Sequence, residues 1–220
     1  MDELRLLAIC GFLGYGFPVE SLKKGLSRRP HVIGADNGST DPGPYYLGSG
    51  DQLVKPPQLT RDLGLALAAA RKARVPLIIG SAGTAGGDPH VDGVLEILHQ
   101  VSKRDRHSFR LAVIRSEIDK GELKTAVRSG RVRPLGKLSN LTEDDIDKAE
   151  RIVGQMGIGP FVKALDAGAE VIIAGRACDT SIFASMAAMH GYDLGLAYHM
   201  AKIIECGAQC AIPTGTNDGI

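Results

Sequence analysis

The sequence has no excess of charge of either sign. Its 220 residues include 26 lysines and arginines against 25 aspartates and glutamates, which gives a net charge of +1. A protein dedicated to nucleic acid normally carries a basic stripe, so this balance argues against nucleic-acid binding. The one basic cluster, at residues 128–137, is interrupted by glycine, valine, proline and leucine, which is typical of a solvated helix end and loop.

Long apolar runs and abundant cysteines are also missing. No run approaches the roughly 18 apolar residues that a membrane-spanning helix needs, and the acidic first residues do not resemble a signal peptide. The four cysteines, Cys10, Cys178, Cys206 and Cys210, stand in apolar or helical surroundings. We therefore expect a reduced, soluble, cytoplasmic protein without a membrane partner.

The sequence does contain a regular alternation of short apolar runs and helical segments. Five apolar runs predict strands at residues 4–10, 31–36, 75–80, 109–115 and 170–175. Helical periodicity appears at residues 19–26, 60–74, 88–98, 118–129, 142–153, 159–168, 179–189 and 193–210, and a long loop is expected at 37–58. Because the strands are continuously apolar, the pattern predicts a single α/β domain over residues 1–220. Its open, mostly parallel sheet of at least five strands is covered by helices on both faces.

Glycine-rich or hydroxyl-rich segments follow four of the five predicted strands. The chain has 28 glycines, about twice the usual share of ~7%. Ligands of open parallel sheets bind beyond the carboxyl ends of the strands, and glycine lets backbone N–H groups approach a ligand closely. The segment after the third strand is predicted to bind an anion through Gly80, Ser81, Gly83, Thr84, Gly86 and Gly87. Tight turns without a ligand are the alternative interpretation.

Arg176 follows the fifth predicted strand, at the same edge of the sheet. A guanidinium binds a carboxylate or phosphate through two hydrogen bonds, which makes Arg176 a ligand-binding candidate. Asp179 either caps the next helix or orients Arg176. The alternative for Arg176 is a structural ion pair that never contacts a ligand. Cys178 between them is interpreted as a small buried thiol rather than a nucleophile.

Three side chains near this edge are candidates for moving a proton. Asp36 ends the second strand, Glu117 follows the fourth, and His90 lies in the first turn of a helix. Carboxylates and histidines that face one pocket can serve as general acids and bases. The other polar candidates at this edge are Asn37, Ser39, Thr40 and Asp41.

Two patterns resemble sets of metal ligands, but neither is specific. Residues 88–92 alternate Asp, His and Asp, which would share one face of a strand, whereas the proline among them favours a helix start with Asp88 as N-cap. His199, Cys206 and Cys210 share a helix face, where a packed stripe is the favoured interpretation. The chain has neither a CxxC pair nor an HExxH motif, so we predict no metal site.

Four runs, taken in order, resemble the N-terminal domain of the acyclic terpene utilisation (AtuA-like) family. They are GADNGSTDPGPYYLGSG, IIGSAGTAGGDPHVDG, AGRACDTSIFA and HMAKIIECGAQCA, and the resemblance extends over nearly the whole chain. It implies a cytoplasmic protein linked to the degradation of terpenoid and branched acids through coenzyme A thioesters. Family members are generally longer, which implies that this chain is part of a longer protein.

These features lead to two hypotheses about function. In the first, the chain belongs to an enzyme of terpenoid or branched-acid catabolism, and a small carboxylate or its CoA thioester binds at the glycine-rich edge. In the second, the chain is a non-catalytic subunit that scaffolds a partner enzyme of the same pathway. We expect no cofactor, with the CoA thioester entering as substrate. The expected partners are the small molecule and either a second copy of the chain or a small partner subunit.

Overall fold

Five parallel strands form one sheet in the computed structural model, which describes residues 3–38 and 44–212. The strands are β1 (Leu6–Ala8), β2 (Val32–Gly38), β3 (Leu77–Thr84), β4 (Leu111–Ile114) and β5 (Val171–Ala174). Their spatial order is β1-β2-β3-β5-β4, and every neighbouring pair is parallel. The predicted parallel α/β architecture is therefore confirmed.

Helices connect the strands and cover the sheet. They are α1 (Val19–Ser27), α2 (Tyr45–Ser49), α3 (Pro56–Ala73), α4 (Asp88–Asp105), α5 (Lys120–Arg128), α6 (Glu143–Lys148), α7 (Ile158–Asp166), α8 (Asp179–Met189) and α9 (Leu194–Glu205). A 3-10 turn follows at Gly207–Cys210. Within the described ranges, none of these helices is both long and apolar enough to cross a bilayer.

Several predicted boundaries differ from those of the structure. The helix predicted to reach residue 153 ends at Lys148, because the chain extends afterwards and the Ile152 carbonyl accepts a hydrogen bond from the Ile118 N–H at 2.9 Å. The last helix ends at Glu205 instead of residue 210, and Gly207 then adopts a left-handed φ of +61°. The stretch 37–58 is not one loop, since it contains α2 and the start of α3.

Strand β3 runs four residues beyond its predicted end. It continues through the first half of the predicted glycine loop and pairs Thr84 with Gly38 of β2, after a shift of register between Asp36 and Gly38. Two non-glycine residues in this extension, Ser81 and Thr84, have φ angles of +46° and +87°. Such angles are costly for L-residues and cluster at sites that the surrounding structure holds in place. The strained backbone therefore lies at the carboxyl edge of the sheet.

The apolar strands are buried on both faces, which explains why their sequences do not alternate. Leu77 and Ile79 of β3 belong to a core built with α1, α3 and α4, whereas Ile78 belongs to a second core built with α7, α8 and α9. Successive strand residues point to opposite faces, so both sets need apolar side chains. The exception is the edge strand β4, where Leu111 and Val113 are 43% and 40% exposed. Helices leave this corner of the sheet uncovered.

Glycine allows the ends of β3 and β5 to approach each other closely. A Cβ on Gly86, whose φ is +74°, would overlap the backbone nitrogen of Arg176, and a Cβ on Gly80 would overlap the side chain of Ile182. Ser116 locks this contact, because its hydroxyl donates to the Gly86 carbonyl and accepts from the Arg176 N–H, both at 2.7 Å. The position of Arg176 therefore depends on the glycine at position 86.

We expect Gly86→Ala to lower the free energy of unfolding by about 2–5 kcal/mol. The new side chain needs a left-handed backbone, at about 1–2 kcal/mol, and displaces the backbone of Arg176, at about 1–3 kcal/mol. Gly159→Ala is the control, since a Cβ there meets no atom within 4 Å. Urea unfolding of both variants measures the difference, and equal effects would contradict the tight contact at Gly86.

Candidate functional site

The ends of β2, β3 and β5 bring Asp36, Ser81 and Arg176 to one edge of the sheet. Asp36 pairs with Gly80 in the register of β2 and β3, and the Ser81 N–H donates to the Gly175 carbonyl at 3.1 Å. Asp36 is 3% exposed and Arg176 is 7% exposed. The polar groups of this edge are thus withdrawn from water, where charges and hydrogen bonds act more strongly.

Only some of the hydrogen-bond donors of the Arg176 guanidinium have an acceptor among the described residues. Its Nη2 donates to Oδ1 of Asp179 at 3.2 Å, whereas Nε and Nη1 are buried and have no hydrogen-bond partner among the described residues. Asp179 does not cap α8, whose N-cap is Cys178 without a side-chain hydrogen bond. Of the two roles predicted for Asp179, the structure therefore shows the one in which it orients Arg176.

Asp36 is a buried carboxyl group whose pKa lies well above its ordinary value. Burial is the largest cause, and the negative charge of Asp179 adds to it, while Arg176, the Gly38 N–H and the Ser81 hydroxyl lower the pKa to a smaller extent. Its Oδ2 accepts from Gly38 at 3.2 Å, but Oδ1 has no partner in the part of the chain that the structure describes. Asp36 thus keeps its proton over a pH range in which an exposed aspartate is ionised.

Helix α9 adds charged groups that the sequence analysis did not identify. Glu205 at its end is buried and pairs with the exposed Lys202. The charge of Glu205 raises the pKa of Asp179, after the larger effect of burial, while Arg176 and Lys202 lower it. We call Asp36, Ser81, Arg176, Asp179 and Glu205 the Arg176 cluster. The signal for Glu205 was present in the sequence, because it follows Ala197 and Ala201 at four-residue spacing on the buried face of α9.

His90 and Glu117 form hydrogen bonds with residues outside the Arg176 cluster. Nε2 of the buried His90 lies 2.9 Å from the Tyr46 carbonyl and 3.0 Å from the Asp51 carbonyl. Carbonyl oxygens only accept, so Nε2 carries the hydrogen and His90 ties α4 to the α2 segment. Glu117 accepts from the Asp88 N–H at 2.7 Å, and its carboxylate therefore occupies the positive N-terminal end of α4.

Asp88 is not the N-cap of α4, and this prediction was wrong. Gly87 takes the N-cap position, and Asp88 becomes the first helical residue. The carboxylates of Asp88 and Asp92 instead form ion pairs with Arg115, at 3.3 and 2.5 Å. The capping carboxylate comes from Glu117, which is distant in sequence, so local spacing could not indicate it.

The predicted glycine loop and Asn37 are bonded to other parts of the protein. Ser81 and Thr84 are buried, and Thr84 accepts from the Leu53 N–H at 2.9 Å. Asn37 accepts from the Gly83 N–H and donates to the Leu13 carbonyl, both at 2.7 Å. These hydrogen bonds of Asn37 join the loop after β1 to the C-terminal ends of β2 and β3. Ser39, Thr40 and Asp41 lie outside the described residues.

A comparison with models of protein families identifies the family of this chain. The model of the acyclic terpene utilisation family protein AtuA matches residues 56–217, which is well over half of the sequence. The chain belongs to the AtuA family. No curated protein and no solved structure gives a significant match. The resemblance inferred from the four sequence runs is confirmed, and membership connects the chain with acyclic terpene utilisation.

The AtuA match contains most of the Arg176 cluster. Ser81, Arg176, Asp179 and Glu205 fall within residues 56–217, whereas Asp36 precedes them. Among residues 3–38 and 44–212, no group of three His, Cys, Asp or Glu side chains is arranged to hold a metal ion. The expected packed stripe of His199, Cys206 and Cys210 is wrong, since the first and last are exposed and the helix ends before Cys206.

The raised pKa of Asp36 predicts a pH-dependent stability. An aspartate in the unfolded chain has a pKa of about 4, so above that pH the folded protein holds a proton that the unfolded chain has lost. The contribution of Asp36 to stability is therefore fully present below about pH 4 and is lost as the pH rises through the folded-state pKa.

Asp36→Asn keeps the shape of the side chain and removes the titration. Relative to wild type, its free energy of unfolding should increase with pH from about pH 4, by at most about 1.4 kcal/mol per pH unit. Denaturant unfolding of both proteins at several pH values measures this difference. A difference that stays constant with pH would mean that Asp36 is ionised in the fold.

Proposed function

We propose that this chain forms the substrate-binding part of an enzyme of terpenoid or branched-acid catabolism. In this proposal, Arg176 binds the carboxylate of a small acid or the carbonyl oxygen of its CoA thioester. The supporting observation is that Nε and Nη1 of Arg176 are buried and have no hydrogen-bond partner among the described residues. Buried donors without acceptors are costly, and a negatively charged ligand oxygen supplies an acceptor for one of them in a charge-assisted hydrogen bond. Membership of the AtuA family supports the assignment to terpenoid breakdown.

Asp36 is the proton donor in this proposal. Its carboxyl group retains a proton because it is buried and faces the charge of Asp179. The O–H of Asp36 donates to the ligand oxygen, and as the proton moves to that oxygen, Arg176 stabilises the carboxylate left on Asp36. Glu117 and His90 are less suitable, because their hydrogen bonds hold α4 and the α2 segment in place.

The glycine loop supports this site indirectly. Gly86 allows the ends of β3 and β5 to pack closely, and Ser116 then fixes the backbone of Arg176. Gly80, Gly83 and Gly87 leave room for Ile182, His90 and Glu117. Asp179 orients the guanidinium, and Asn37 links the neighbouring loops. An arginine fixed in this way loses little conformational freedom when a ligand binds.

A scaffolding role is the second candidate, and one exposed segment favours it. Leu135, Leu138 and Leu141 lie between α5 and α6 and are exposed, the first to 92%. Exposed apolar side chains that lie close together in sequence are typical of surfaces that contact another protein. In this role the chain would position a partner enzyme of the same pathway and would bind no acid itself.

Binding of 3-methylbutanoate and its CoA thioester by Arg176 variants tests the enzyme proposal. Arg176→Ala should weaken binding by about tenfold to a hundredfold, the value of a hydrogen bond to a charged group. Arg176→Lys should also weaken it, because lysine keeps the charge but lacks the planar fork. Calorimetric titration measures affinity, and the melting temperature is recorded for each variant.

Arg71→Ala is the matched control. It removes the ion pair between Arg71 and Glu170, at 2.7 Å, which lies at the amino end of β5 and thus at the opposite edge of the sheet. This variant should bind the acids as wild type does. Unchanged binding by Arg176→Ala with a lowered melting temperature would show that Arg176 is structural. Absence of binding by wild type would contradict the enzyme proposal and favour the scaffold.

A further inference from the structure

A groove of about 580 Å³ runs along the outer side of β1, between α1 and α9. Strand β1 lies at the end of the strand order and pairs with β2. The groove is therefore built around the open edge of the sheet rather than around the Arg176 cluster. The residues that line it include Glu3, Leu4, Leu6, Ala8, Lys24, Arg28, Met200 and Ile204.

The floor of the groove presents backbone groups of β1 that pair with no other strand among the described residues. The Arg5 carbonyl accepts from the His31 N–H, and the Ile9 N–H donates to the Gly34 carbonyl, so the odd-numbered residues of this strand face β2. In a strand, the N–H and C=O groups of alternate residues point to opposite edges. Those of Leu6 and Ala8 consequently point into the groove, where they form a template for a further strand.

The two walls of the groove differ in chemistry. Met200 and Ile204 of α9 form an apolar wall, together with the half-buried Leu4. The opposite wall carries Lys24, in the last turn of α1, and Arg28, the C-cap residue of that helix. Both are exposed, and neither has an ion-pair partner in the described ranges.

The acidic residue of the groove does not neutralise this basic wall. Glu3 pairs instead with Arg5, at 3.1 Å. Lys24 and Arg28 therefore favour an occupant with negative charge. The free strand edge and the apolar wall favour an extended backbone with apolar side chains.

We propose that the edge of β1 binds an extended acidic segment of a partner protein, which adds a sixth strand to the sheet. Alternate side chains of a strand point to opposite faces. The apolar side chains on one face of the bound segment pack against Met200 and Ile204. The acidic side chains on its other face pair with Lys24 and Arg28. The backbone of the segment bonds to Leu6 and Ala8. This surface is separate from Arg176, so its function does not depend on the proposed chemistry.

A fluorescent nine-residue peptide of alternating valine and glutamate is the probe. It should bind the full chain with micromolar affinity, and hydrogen exchange at the amides of Leu6 and Ala8 should slow in the complex. N-methylation of the probe amides on the edge that faces β1 should weaken binding by about tenfold or more, since it removes backbone hydrogen bonds.

Charge reversals on α1 test the basic wall. The double change Lys24→Glu and Arg28→Glu should weaken binding by about tenfold or more, because like charges would then face each other. Lys23→Glu is the control: it reverses one charge on the same helix, half the change of the double variant, at a residue that pairs with Glu20 at 2.7 Å outside the groove. This variant should bind as wild type does.

Three results would overturn the strand-addition proposal. The first is absence of probe binding, and the second is equal affinity for the N-methylated probe or for the doubly reversed variant. The third is stoichiometric binding of laurate in the groove with no exchange protection of Leu6 and Ala8 by the peptide. That result would assign the groove to an amphipathic small anion instead.

Discussion

The arrangement at the carboxyl edge of the sheet depends on one buried guanidinium. Among the described residues, Arg176 is the one buried side chain with a permanent positive charge. The charges of Asp36 and Asp179 interact with it, and that of Glu205 interacts with Asp179. One arginine cannot neutralise three carboxylates, and Lys202 contributes only from the exposed side. Burial is the main reason why the pKa values of Asp36 and Asp179 are raised, and the uncompensated negative charge raises them further.

The backbone around Arg176 keeps these side chains close together despite their excess of acidic groups. Gly86 lets β3 and β5 approach each other, Ser116 bridges them, and Ser81 takes a left-handed conformation beside Asp36. The left-handed backbone of Ser81 is costly alone, and the two apolar cores on either side of the sheet hold this region in place. A site with strained backbone and unpartnered donors is typical of ligand binding, because the ligand supplies the missing contacts.

Much of the fold could be predicted because buried parallel strands have a strong signature. All five apolar runs contain a strand, since each must be apolar on both faces. The insertion of β5 between β3 and β4 could not be predicted, because strand order is set by contacts between distant segments. The same limit explains the helix that ends at Lys148, where pairing of residues 118 and 152 overrides the local helical pattern.

The candidate site was predictable where a residue lies at the end of an apolar run. Asp36 lies near the end of β2 and Arg176 lies just after β5, and the rule that strand ends share an edge placed them together. Ser116 was missed because its hydrogen bond to the Arg176 N–H joins segments that are distant in sequence. Glu205 was missed although its spacing from Ala197 and Ala201 places it on the buried face of α9. The position of Glu117 in the sequence also could not distinguish a capping role from a catalytic one. The capping role depends on the distance in the folded protein between Glu117 and the N-terminus of α4.

The most direct test of this account is the carbon-13 chemical shift of the Asp36 carboxyl group followed through a pH titration, assigned by comparison with Asp36→Asn. Burial of Asp36, with the charge of Asp179 beside it, predicts the shift of a protonated acid at a pH where exposed aspartates already show the ionised shift. An ionised Asp36 that titrates together with the exposed aspartates would contradict the account.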